Sequence, residues 1–359
     1  MSAAPSRDGH GPARERPALG ATRTAEQHGE SPYGRPVIKE PVWTPEIPAY
    51  FYVGGLAGGS AALALLADLR GEEALARRAW LTAFAGSVVS PVLLISDLGV
   101  PKRFLHMLRM FKVTSPMSVG SWILAGFGTA TAPATLHAIS GQRLGAVGRG
   151  AQVASALLGL PLASYTAALI TNTSVPAWHS ARAEMPFVFT TGAALSAGAA
   201  ALMLAPVEEA QAPRRLAVGG AAVELVLVHL MERRLEREGV GEAYNVGKVK
   251  WLNHAATWAT AAGAAVVAAR GRRSRRAAVV GGALLTAGAI AERFTIFRAG
   301  VQSARRPQDT VGPQRERIRR GASAGAARTK ARRAPAQMPT GDTRPGERPV
   351  TPGSPAIEP

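Results

Sequence analysis

Between Pro48 and Ala299 the chain alternates apolar runs of about 20 residues with short polar islands, and one helix of that length crosses the roughly 30 Å hydrocarbon core of a bilayer. This pattern constrains the fold more than any motif does. Eight runs are expected to span, at 47–67, 79–97, 117–138, 150–171, 185–205, 214–231, 250–269 and 277–298. The expected fold class is an all-α integral membrane protein, an eight-transmembrane-helix bundle in the cell (inner, cytoplasmic) membrane. Alanine and glycine dominate the runs, so each is weakly hydrophobic and depends on close helix packing. The first run holds Gly54-Gly55-Leu56-Ala57-Gly58-Gly59. Its two small-xxx-small pairs suit helix contact, and with no strand before it and no lysine after it the stretch is not a phosphate loop.

The flanks differ from the runs. Residues 1–40 are rich in Pro, Gly, Arg, Glu and Ser, show no cleavable signal peptide, and are expected to be disordered. Residues 41–302 form the membrane domain, and 303–359 are expected to be a disordered basic tail. Much of the net charge of +18 lies in these tails. No stacking surface or binding motif accompanies the arginines, which argues against nucleic acid and favours anionic membrane lipids as their partner. The chain has no cysteine. It can hold no thiolate-bound cluster, so any iron–sulfur chemistry must sit on a partner.

Eight crossings would put both termini on one side, here called side A, together with the loops near 98–116, 172–184 and 232–249. Threading each run through the bilayer then gathers the polar residues on that side. Tyr50 and Tyr52 stand near the start of the first run and Asp97 ends the second. Tyr165 and Asn172 end the fourth, and Glu224 and His229 lie in the side A half of the sixth. Trp251, Asn253 and His254 open the seventh, and Glu292, Arg293 and Arg298 lie toward the end of the eighth. Side B offers chiefly Asp68, His137 and arginines. Ionisable groups inside spans are costly and mark pathways or sites. An interfacial aromatic belt with snorkelling arginines accounts for Tyr50, Trp251 and Arg298. It accounts poorly for Glu224, and for Glu224 and the Glu292–Arg293 pair a buried structural pair is the competing reading. His229 with His254 is a weak candidate for haem, and no metal site is assigned. Between the second and third runs, residues 96–122 read as a loop with a short interfacial helix. Phe104, Leu105, Leu108 and Phe111 form its apolar face, with Lys102, Arg103, Arg109 and Lys112 between them.

That same block, Ser96-Asp-Leu-Gly-Val-Pro-Lys-Arg-Phe104 followed by Phe111-Lys-Val-Thr-Ser-Pro-Met-Ser-Val-Gly-Ser-Trp122, resembles the NrfD/PsrC family. These are membrane subunits of polysulfide-reductase-type and nitrite-reductase-type complexes. Trp43 to Gly59, Tyr165 to Ile170 with Pro176-Ala-Trp178, and Arg293 to Gly300 are similar to further parts of the family, so the resemblance covers about residues 40–305. It implies an eight-helix quinol-interacting protein without haem. It also implies a ferredoxin-like iron–sulfur partner and often a molybdopterin catalytic subunit. The cofactor it implies is a quinone, menaquinone first, near the face where the cluster subunit docks. Tyr165 matches the fourth-helix tyrosine associated with the quinone. The Asn or His that family members can use in the first helix is absent, and Tyr50 and Tyr52 stand there instead.

On this reading Tyr165, with Tyr52 or His254 and neighbouring Asn253, would hold the quinone oxygens. Asp97, Glu224 or Glu292 would accept protons. Lys102, Arg103 and Arg293 would pair charges or dock the partner, with Arg103 able to pair with Asp97. The expected function is electron exchange between the quinone pool and an iron–sulfur subunit, with proton release or translocation. The chain would not act on the terminal substrate alone. A proton-translocating or transporter-like module and a passive membrane anchor are the alternatives. A transporter would show an inverted repeat, and the sequence shows no convincing repeat between its halves.

Overall fold

The structure, a computed structural model, describes residues 37–333. Residues 1–36 and 334–359, which hold most of the expected N-terminal tail and the end of the C-terminal one, lie outside the described residues. Two units divide the chain, residues 1–314 and 315–359, and the features below belong to the first, apart from the greater part of the last helix.

All regular structure among the described residues is helical. The long helices are α1 Glu46–Leu69, α2 Glu73–Asp97, α4 Pro116–Ile139, α5 Gly145–Thr171, α7 Met185–Leu204, α8 Gln211–Arg237, α10 Gly247–Arg270 and α11 Arg275–Ala304. Short helices α3 Lys102–Met107, α6 Pro176–Ser180 and α9 Glu242–Asn245 sit in the connections, and α12 Pro307–Arg333 follows. Local chemistry sets the ends. Ser115 caps α4 by accepting from the Ser118 N–H at 3.4 Å, with Pro116 in the first turn. Ser274 caps α11 the same way, accepting from the Ala277 N–H at 3.3 Å. Beyond α2, Gly99 takes a φ of +66°, a left-handed turn that glycine adopts without strain.

A long helix stands at each of the eight expected runs. Length and apolarity by themselves qualify five as membrane-crossing, namely α1, α2, α5, α7 and α11. The expected count of eight therefore does not follow from composition. Gly, Ser, Thr and Pro dilute α4, and Arg214, Arg215, Glu224 and a basic end dilute α8. Large apolar side chains such as Phe84, Val92, Leu157, Phe187 and Trp258 face outward. That surface belongs against lipid, since a water-soluble protein rarely exposes so continuous an apolar area.

The helices form two four-helix bundles with one pairing scheme. In the first, α1 and α4 each pack against both α2 and α5, and in the second, α7 and α10 each pack against both α8 and α11. Contacts of α1 with α7 and α11, and of α5 with α7, join the two. Consecutive helices alternate in direction, so α1 and α7 run the same way. The halves thus repeat in pairing although their sequences show no convincing repeat, and the repeat is parallel. Small residues make the joint. A Cβ added to Gly59 of α1 would lie 2.6 Å from the Ala193 carbonyl oxygen of α7, and within the first bundle one added to Gly159 of α5 would lie 2.8 Å from the Gly58 carbonyl oxygen of α1. Backbones meet where the Gly-Gly-x-x-Gly-Gly stretch was expected to bring them together.

A short helix, α3, stands where an interfacial one was expected, with Leu105 exposed and Phe104 and Met107 half-buried. One expectation changes. Residues 307–333, expected in a disordered tail, are helical. Low hydrophobicity signalled disorder there, but Ala, Arg, Gln and Lys are strong helix formers whether or not they bury a face.

Candidate functional site

Two phenols meet inside the first bundle near the start of α1. Tyr50 is fully buried, and its hydroxyl hydrogen-bonds that of half-buried Tyr165. The rings lie edge-on at 6.5 Å. Gly120, in the Val-Gly-Ser-Trp stretch of α4, explains how the Tyr165 ring fits, because any side chain there would occupy the ring's place. Beside Tyr165 lies a crevice of ≈ 80 Å³ bounded by Trp43, Ile47, Asp97, Met107, Met117 and Tyr165.

Asp97 borders this crevice and organises the entry to α1. Its Oδ1 accepts from the Thr44 N–H at 2.8 Å and from the Thr44 hydroxyl at 2.7 Å. Arg103 and Lys102 are exposed, and among the described residues no ion pair joins Asp97 to Arg103. Across the entry, Trp43 stacks on buried Trp178 at 5.6 Å. The Trp178 indole N–H donates to the Ile296 carbonyl at 2.8 Å, and Gly300 leaves the space its ring fills. This clamp ties the start of α1 to the end of α11, and it gives the Pro-Ala-Trp stretch and Gly300 a shared structural role.

The second bundle encloses charge. Arg293 of α11 lies between Glu292 beside it, to which it donates a hydrogen bond, and Glu224 of α8 at 3.5 Å. All three are buried. The Arg293 guanidinium also stacks 4.2 Å from the Phe189 ring centre and reaches the Val188 and Phe189 carbonyls at 3.4 Å. Gly192 makes room for this group, since a Cβ there would collide with both Arg293 and Glu224. Both Glu224 oxygens and Glu292 Oε1 are buried without a hydrogen-bond partner among the described residues. The group therefore stays polar and incompletely satisfied, unlike a closed structural pair.

The other sequence candidates divide between these centres. Tyr52 packs into the second bundle's core, near Arg293, Thr286 and Ser196. Two steps along a helix turn the side chain by about 200°, so Tyr50 and Tyr52 serve opposite bundles, and the phenol that meets Tyr165 is Tyr50. Asn253 donates to Glu232 at 2.6 Å on the side A end of α8. His254 and His229 are exposed on α10 and α8. The structure does not bring Tyr52, Asn253 or His254 to Tyr165. Tyr244 of α9 is buried in electrostatic reach of Glu292 and Glu232, and that burial raises its phenol above the ordinary value. Its sequence context did not reveal this burial.

A further polar group closes the opposite end of the first bundle. Asp68 accepts from the Trp80 indole at 2.8 Å and from Gln152 at 2.9 Å. His137 is fully buried against Gly148. Its Nδ1 accepts from the Leu144 N–H at 3.3 Å, and its Nε2 has no partner among the described residues. Thr131 and Ser155 bond at 2.7 Å one turn deeper. Asp68 and His137 were visible in the sequence as lone polar residues, but not as members of one group. Among the described residues no three His, Asp or Glu side chains are placed to hold a metal ion.

With this geometry in view, comparison with known families gives one result. A family model described as polysulfide reductase, of the NrfD type, matches residues 31–306. The chain belongs to the polysulfide reductase (NrfD) family. The match covers both bundles, the phenol pair and the buried triad. Membership points to a membrane subunit of a respiratory oxidoreductase. No curated protein matches this NrfD-family chain.

Proposed function

We propose that this protein exchanges electrons between the quinone pool of the cytoplasmic membrane and an iron–sulfur partner subunit, and that all eight long helices cross the bilayer. The observation that carries the reading is the Tyr50–Tyr165 hydroxyl pair beside a crevice at the side A end of the first bundle. Exposed Val223, Val226 and Leu230 on α8 and Trp258 on α10 support the remaining crossings.

The residues present suit a quinone headgroup. A phenol is available to donate to a ring oxygen, the walls are aromatic and aliphatic, and the crevice is bordered by Met107 and Met117, whose unbranched side chains can yield to a ring. A quinol supplies two electrons and two protons. Tyr165 would orient one quinone oxygen, and Tyr50 would hold the Tyr165 hydroxyl in place while completing a hydrogen-bonded path for its proton. Asp97 would take a proton on Oδ2, the oxygen that Thr44 leaves free. Electrons would leave directly to the partner, since a chain without cysteine offers no thiolates for a cluster. Lys102, Arg103, Arg109 and Lys112, with exposed Leu105 and Phe111, present a basic and apolar surface where such a partner would dock, alone or with a molybdopterin subunit.

Tyr165→Phe in the assembled complex is expected to lower quinol turnover tenfold or more, the scale of a lost acid–base partner being about 10²–10⁴. Subunit composition should not change. Turnover equal to wild type would remove Tyr165 from the site.

A second reading, proton translocation, is favoured by the Glu224–Arg293–Glu292 group, which lies in the other bundle with buried carboxylate oxygens that lack hydrogen-bond partners among the described residues. In proteoliposomes Glu224→Gln should lower the number of protons moved per electron while electron transfer continues. An unchanged ratio would leave the triad a structural role only.

A further inference from the structure

The largest cavity described, ≈ 730 Å³, is separate from both polar centres. It is a groove along the seam between the bundles, toward side B. Its walls are the small and aliphatic side chains of α1, α5, α7 and α8, including Ala62, Leu66, Leu160 and Ala194. Such a volume falls within the range of about 300–1,000 Å³ typical of small-molecule sites and admits an acyl chain. At its side B end stand Arg70, where α1 ends, and Arg215, in the first turns of α8, with Gln211 and Glu72 beside them. Both arginines are exposed and neither has a carboxylate partner within ion-pair distance among the described residues.

We infer that this groove binds one monoanionic glycerophospholipid of the phosphatidylglycerol type. An acyl chain would lie in the seam and the phosphate would lie between Arg70 and Arg215. The charge count selects the headgroup. Among the residues that line the groove, Arg70, Arg215 and Glu72 leave one positive charge, which a single phosphate neutralises, while Glu72 and Gln211 can bond headgroup hydroxyls. A zwitterionic lipid would leave that charge uncompensated. Basic pockets between membrane helices hold anionic headgroups by this chemistry. A quinone tail is the competing occupant, but the arginines offer nothing to a neutral quinone ring, and the groove opens at the end away from Tyr165. The lipid would fill the seam where glycine and alanine leave space, and so would act as packing between the halves.

The test uses the full chain, purified in mild detergent, with bound lipid extracted and quantified by mass spectrometry. Melting is then followed in micelles carrying phosphatidylglycerol, phosphatidylethanolamine or phosphatidylcholine. About one phosphatidylglycerol per chain should be retained, and that lipid alone should raise the midpoint by several degrees. R70Q/R215Q should reduce retention about tenfold or more and abolish the lipid-specific shift, with helix content unchanged. Ala194→Phe keeps both arginines but fills the groove, and loss of the lipid in this variant supports the site even if the double variant fails to fold. Equal retention of all three lipids, retention that neither variant lowers, or release of quinone in place of phospholipid by Ala194→Phe would overturn the inference. None of these readouts depends on quinol turnover.

Discussion

The two four-helix bundles share a pairing scheme and a chain direction, yet differ in what they bury. The first encloses neutral pairs in its interior, with Tyr50 on Tyr165 and Thr131 on Ser155, and holds Asp97 at its side A end on Thr44. Near side B the Asp68 carboxylate is held by two neutral donors. The second places a guanidinium between two carboxylates in its middle. One packing solution therefore supports two kinds of polar interior. Neutral groups can exchange hydrogen bonds with a bound ring at little electrostatic cost. Buried charges instead hold each other and penalise any change that leaves one alone. Redox binding belongs to the first bundle on this argument, and charge movement, where it occurs, to the second.

The largest expected effect breaks the second bundle's balance. Arg293→Met should destabilise the protein by about 3–5 kcal/mol, the usual cost of leaving buried partners of an ion pair uncompensated. Adding Glu224→Gln and Glu292→Gln should recover much of the loss. Thermal melts in detergent check both. If the single variant melted like wild type, Glu224 and Glu292 would not depend on the cation, and the contrast between the bundles would fail.

A smaller effect is expected in the first bundle. Asp68→Ala removes the acceptor of the Trp80 and Gln152 donors and should cost about 1.5–3 kcal/mol, the range for hydrogen bonds to a charged group. Asp68→Asn keeps an amide oxygen and should cost less than the alanine. A loss as large as that of Arg293→Met would mean that Asp68 is held by charge, through His137 or Arg77, and that the first bundle is not neutral in kind.

Much of this contrast was legible in the sequence and part was not. The apolar runs located the eight helices of the two bundles, because lipid-facing and core-facing sides are both apolar and a run of about 20 residues has few other uses. Glu224 and the Glu292–Arg293 pair stood out because charge inside such a run is rare. Facing was harder to read. Tyr50 and Tyr52 both lie at the right depth, and the angle between them shows only that they diverge, not which one meets Tyr165. The seats for large side chains were hidden too. Gly120 under Tyr165, Gly148 under His137, Gly192 beside Arg293 and Gly300 under Trp178 look like ordinary small residues until the neighbouring helix is in place. The repeat in pairing left no trace in sequence, because small residues at many different positions can satisfy the same contact.

The smallest effect concerns the side A end of the second bundle, where the chain leaves α11. Asp309 of α12 is buried, with Arg306 at 3.3 Å, and Arg306 also pairs with Glu242. Burial pushes the Asp309 carboxyl up to about 6 from its ordinary 3.8, Arg306 opposes the rise, and Glu242 adds to it. The folded state therefore holds this proton more tightly than the unfolded chain does. The group's favourable contribution is fully present below about pH 3.8 and is lost as pH rises through about 6. Asp309→Asn should remove that dependence. Its melting temperature should exceed that of wild type by a degree or two at pH 8, and the two should coincide near pH 4. A gain of equal size at both pH values would mean that the amide acts through packing. A loss at pH 8 would mean that the Arg306 ion pair outweighs the cost of burial, so that charge holds this end of the second bundle together as it does its centre.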